Sequence, residues 1–132
     1  KNMTNTFIVN CGCYPFDIMV HFGEDRTNLY KKLKNKIPQE SIDSMKELKY
    51  SNGKSLMHDT GQMVLWLKEK PNTIKGLATL NHEIFHCVCF LMERIGVVYS
   101  NDSDEAFAYL IEYVSVQIYS KLGIKFNKNT QK

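Results

Sequence analysis

Residues His82, Glu83, Ile84, Phe85 and His86 spell the pattern H-E-x-x-H. On a helix, side chains four apart lie on one face, one turn above the other. Two imidazoles placed so can grip one zinc ion, and a glutamate between them can act as base toward the metal-bound water. The chemistry available to such a trio is metal-assisted hydrolysis. A catalytic zinc takes three protein ligands and keeps one position open. Glu93 shares the histidine face but lies seven residues past His86. That is about 10 Å along a straight helix, too far for bonds of about 2 Å. The third donor must therefore come from chain that has turned back. Asp104, Glu105 and Glu112 are the candidates. Glu105 is preferred, because Ala106 and Ala108 beside it would let two helices approach closely. An acid in a first helical turn also complements the helix dipole, so spacing leaves Glu112 and Asp104 open.

The element that must carry the trio is a helix over about 74–95. Leu77, Leu80, Ile84, Val88, Leu91 and Ile95 recur at three- and four-residue steps and form its core-facing stripe. His82 and His86 fall off that stripe, on a face shared with Thr79 and Glu93. Burying Glu83 unpartnered would be costly, and a metal nearby would offset that cost. Asn72 or Thr73 caps the start and Gly96 ends the helix. Asp102 and Glu105 have capping-box spacing for a second helix running to about Leu122, with Phe107, Leu110, Val114 and Ile118 as its buried stripe. A short connection makes the two helices antiparallel neighbours.

Upstream, 6–13 and 16–22 read as two strands of a hairpin punctuated by Tyr14-Pro15. Helices follow at 26–36 and 39–48, divided by Pro38. Residues 50–61 are polar, with Gly53 and Gly61, and read as loop; 62–68 is an apolar strand. The tail after Ile124 is polar and reads as frayed. The expected architecture is a single α+β domain over 1–132, with an N-terminal part (1–61) and a metal-binding part (62–124). A small, about three-stranded sheet would pack on the long helix and on the helix that bears Glu105.

Composition bounds the alternatives. The chain has 132 residues, 43% of them hydrophobic, enough for one cored domain rather than a disordered segment. A net charge of +3 is too small to argue for nucleic acid. The lysines of Lys31-Lys32-Leu33-Lys34-Asn35-Lys36 read as a solvated helix face. Cys11, Cys13, Cys87 and Cys89 do not read as a four-thiolate site, because positions 87 and 89 point about 200° apart around a helix. They read as reduced, mostly buried thiols, which favours a cytoplasmic setting. No apolar run is long enough to span a bilayer.

The C-terminal half, residues 62–120, resembles a known group. Trp66-Leu67, a proline, the His82–His86 run, Ile95-Gly96 and then Asp104-Glu105-Ala106-Phe107-Ala108-Tyr109-Leu110 are similar to gluzincin-type zinc metallopeptidases. The likeness is especially to small ImmA/IrrE-related peptidases and to bacteriophage-encoded zincin-like proteins. The resemblance implies Zn2+ on His82, His86 and Glu105, with Glu83 as general base. It implies a peptide or protein substrate, which could pair with the strand at 62–68. It also implies a phage setting, in host cytoplasm or virion, where the same fold could serve assembly rather than catalysis. No second histidine follows Glu105 to hold an oxyanion; Tyr109, one turn on, is a candidate donor, with packing beside the ligands as its other and favoured reading. His58, in the polar loop, is a weaker one.

Overall fold

A computed structural model describes residues 5–49 and 51–123 of the chain. Its elements run β1 (Thr6–Cys11), β2 (Tyr14–Phe22), α1 (Thr27–Leu33), α2 (Gln39–Glu47), β3 (Gly53–Met57), β4 (Met63–Leu67), α3 (Ile74–Arg94) and α4 (Asp104–Leu122). The class is α+β, as expected, but the sheet has four strands in the order β1-β2-β4-β3. β1 pairs antiparallel with β2, β2 parallel with β4, and β3 antiparallel with β4. The polar loop expected at 50–61 therefore contains a strand. The expected frayed tail, 124–132, lies outside the described residues.

The sheet is covered on both faces. Met63, Leu65 and Leu67 of β4 join Ile18, Val20 and Phe22 of β2 under α3 and α4. Val64 and Met19 point the other way, into a second cluster with Leu29, Leu33, Ile37, Ile42 and Met45 from the α1–α2 region. Successive side chains of a strand face opposite sides, so a strand buried on both reads as an unbroken apolar run. That is why all five residues of β4 are buried.

β1 and β2 turn tightly through Gly12, whose φ of 70° is left-handed, so β2 begins at Tyr14 and Tyr14-Pro15 lies inside it. α4 lies against this turn. The Asn10 main-chain N–H donates to Gln117 Oε1 (3.1 Å), and Gln117 Nε2 donates to the Asn10 carbonyl (2.8 Å). The lysines at 31, 32, 34 and 36 are exposed, as a solvated face should be. Among the described residues no helix is long and apolar enough to cross a membrane.

Candidate metal centre

α3 forms where the periodicity predicts it. Thr73 caps it by accepting a hydrogen bond from the Gly76 N–H at 2.9 Å. At the other end Gly96 adopts φ 82°, and the Val97 N–H returns to the Met92 carbonyl at 2.8 Å. This is a Schellman stop, which needs a left-handed residue at that point. Between the caps Leu80, Ile84, Cys87, Val88, Leu91 and Met92 are buried, which turns His82 and His86 outward into solvent.

The two imidazoles converge. His82 Nε2 and His86 Nε2 stand 3.1 Å apart, with ring centroids 4.7 Å apart and the planes inclined at 74°. Two nitrogens bound to one tetrahedral zinc at about 2.0–2.1 Å would be separated by about 3.3 Å. In the structure the two rings are hydrogen-bonded to each other through these nitrogens, at a separation close to that of a chelating pair. Phe90 stacks on His86 at 6.3 Å and 19°, bracing that ring from the next turn.

Glu83 behaves differently from its neighbours. It is turned about 60° around the helix from His86, into the seam between α3 and β3, and is only 6% exposed. There Ser55 Oγ stands 2.6 Å from Glu83 Oε1 and 3.0 Å from the Glu83 carbonyl oxygen. Gly53 lies beneath the carboxylate, where an added Cβ would come within 3.2 Å of Oε2. Cys87, one turn on, lies beside the Ser55 hydroxyl; burial pushes its thiol up to about 12, so it stays protonated. Cys11 is also buried and its thiol is likewise pushed up to about 12 by burial, whereas Cys13 is exposed and Cys89 half-buried. The sequence reading used Gly53 only as a loop signal and did not single out Ser55. The only signal for them was a serine and a glycine in a segment read as loop.

The expected third ligand is not brought to this pair. Tyr119 of α4 donates a hydrogen bond to Asn81, next to His82, which fixes how the antiparallel helices are aligned. Glu105 lies fourteen residues back from Tyr119, about 20 Å along α4, whereas His86 is only about 8 Å in that direction from Asn81. Glu105 is exposed, in the first turn of α4, and is not grouped with the pair among the described residues. Its capping-box role is also absent, since α4 starts from Ser103 without a side-chain cap bond. Glu112 is exposed and lines a groove against the β1–β2 turn, with Tyr109 and Tyr113. Tyr109 lines that groove and is exposed. Asp104 is exposed beside Glu105. Among the described residues, no three His, Cys, Asp or Glu side chains are grouped closely enough to share an ion. His58 is tied to Ser41 at 2.9 Å and to Thr60 at 3.1 Å, away from α3's outer face.

The strand beside the trio is β3, not the one expected at 62–68, which is interior. Hydrogen bonds from His58 N–H to the Gln62 carbonyl (2.8 Å) and from Lys68 N–H to the Asn52 carbonyl (2.9 Å) bracket the β3–β4 ladder. Antiparallel pairing alternates, so Lys54 and Leu56 share β4's ladder, and Gly53, Ser55 and Met57 turn their N–H and C=O groups to the outer edge, which no strand of the described residues pairs with. No protein-family model, curated protein or solved structure matches the chain.

Proposed function

We propose that the chain is a zinc-dependent peptidase in which His82 and His86 hold the ion and Glu83 is the general base. The observation that carries this reading is the 3.1 Å approach of the two Nε2 atoms on an exposed helix face. Two nitrogens of the same type, one helical turn apart and already in hydrogen-bond contact, are what an ion needs from a chelating pair once it replaces the shared proton. When bound, zinc brings the pKa of its water toward 7 and polarises a carbonyl. The protein supplies the rest. Glu83 takes the proton of the attacking water and passes it to the leaving amine. The open edge of β3 offers the N–H and C=O groups of Gly53, Ser55 and Met57 to an extended peptide, beside Glu83. His82 and His86 would supply two of the three protein ligands that a catalytic zinc takes, and no third is grouped with them among the described residues. Four free thiols, two of them buried, fit a reducing cytoplasm.

The position of Glu105 favours a second reading from a different class. A chelating histidine pair without a third donor from its own chain is half of a tetrahedral site. A partner surface could complete it, making the zinc a link in an assembly. Phe85, 51% exposed between the two histidines, would be covered by such a partner.

Metal analysis and peptide-library cleavage separate these readings. Wild type should hold one zinc and cleave with chelator sensitivity; Glu83→Gln should keep zinc and lose turnover; His86→Ala should lose zinc. Glu105→Ala should keep it, because that carboxylate stands away from the pair. Zinc-dependent dimerisation without cleavage would select the assembly reading, and zinc retained by His86→Ala would remove both.

A further inference from the structure

We propose that Ser55 is the positioning residue for Glu83: its hydroxyl, reaching from the edge strand, holds the carboxylate in one orientation in the seam beneath β3, next to the edge along which a peptide could pair. The proposal rests on the peptidase reading of the His82–Glu83–His86 site, and its geometry stands independently of that reading. Ser55 Oγ lies 2.6 Å from Glu83 Oε1 and 3.0 Å from the Glu83 carbonyl. A hydroxyl has one proton to give, and the shorter, charge-assisted contact takes it. Both residues are buried, at 7% and 6% exposure, so the bond is little exposed to solvent. The other carboxylate oxygen, Oε2, lies over Gly53, whose missing side chain makes the space. The carboxylate is thus held by a donor at one oxygen and by backbone beneath the other.

The main chain of Ser55 gives this arrangement a direction. Its N–H and C=O face the open edge while its side chain faces α3. A peptide pairing with β3 would hydrogen-bond the same residue that aims the base, so binding register and base position are set by one serine. A bond that only tied helix to sheet would affect stability alone. A positioning bond also affects turnover without affecting binding, because a base misplaced by about 1 Å loses about 10- to 100-fold in rate.

The test compares the zinc-loaded full chain with Ser55→Ala in two measurements. Steady-state kinetics on a cleaved library peptide should show kcat reduced about 10- to 100-fold, with KM and zinc content within about twofold. Three-bond NMR couplings of the Glu83 side-chain methylenes should show one rotamer in wild type and averaging in Ser55→Ala. Unchanged couplings, or kcat within about twofold of wild type, overturn the proposal. If wild type cleaves nothing, the peptidase reading falls, and the couplings still decide whether Ser55 holds Glu83. If Ser55→Ala does not fold, Ser55→Cys, nearly isosteric with a poor donor, is measured in its place against the same outcomes.

Discussion

The closeness of β3 to α3 can be tested by adding a single methyl group. In Gly53→Ala the new Cβ would stand 2.9 Å from Leu67 Cδ2, 3.2 Å from the Trp66 carbonyl oxygen and 3.2 Å from Glu83 Oε2. Carbon atoms rest at about 3.5–4.0 Å, so the contact with Leu67 is tight by at least half an ångström. Leu67 is 2% exposed and has little room to retreat. The Trp66 carbonyl belongs to an interior strand paired on both sides. Overpacking by one methyl costs about 1–3 kcal/mol. Against it, alanine restricts the unfolded chain and returns about 0.4–1 kcal/mol. At the middle of these ranges the net loss is about 1.3 kcal/mol, with about 2.6 kcal/mol as the upper bound, and the middle value lowers Tm by about 4–6 °C in a chain of this size. Urea unfolding should show a lower midpoint at an unchanged slope, which marks a loss of stability alone. Lys54→Ala, at the exposed neighbouring position, is the control and should stay within about 0.5 kcal/mol. A Gly53→Ala protein more stable than wild type would refute the close packing described around Gly53, against Leu67, the Trp66 carbonyl and Glu83.

Two further outcomes follow from local chemistry. Thr73→Ala removes the cap on the Gly76 N–H and should cost about 1 kcal/mol; no change in the urea midpoint would mean that α3 does not depend on it. His21 is buried, with Nε2–H donating to the Asp25 carbonyl at 2.9 Å and Nδ1 accepting from the Thr6 hydroxyl at 2.6 Å. Burial holds its pKa below the ordinary 6.5, outweighing the pull of the Asp25 carbonyl. The unfolded chain then binds the extra proton more readily. Stability from this group is full above about pH 6.5 and is lost as pH falls through the lower folded value. Unfolding measured between pH 8 and pH 5 should show this slope, and His21→Gln should flatten it; an equal slope in the variant would assign it elsewhere.

The sequence was legible where a local pattern carried the information. The stripe through Leu80, Ile84, Val88 and Leu91 defines α3, and Gly96 defines its end, because both depend on residues within one or two turns. The run Met63–Leu67 is apolar throughout because two layers cover it, so it reads plainly as a strand. β3 was hidden because its residues include Gly53, Lys54 and Ser55, and its one buried polar partner, Glu83, lies 28 positions away. The place of Glu105 was hidden for a related reason. Spacing gives the turn between α3 and α4 but not the sliding alignment of the two, which the Tyr119–Asn81 contact decides. The histidine pair needed no such information, since a single helical turn brings the rings together.

The clasp between Asn10 and Gln117 joins residues 107 positions apart. During synthesis the N-terminal hairpin leaves the ribosome long before the helix that covers its turn exists. β2 likewise waits for β4, its parallel neighbour, and such non-local pairing is slow. A nascent chain halted before α4 would leave the apolar face of the sheet and the unclasped strand β1 open to other chains. Successful production of this protein therefore depends on its last described helix arriving before a stray strand does.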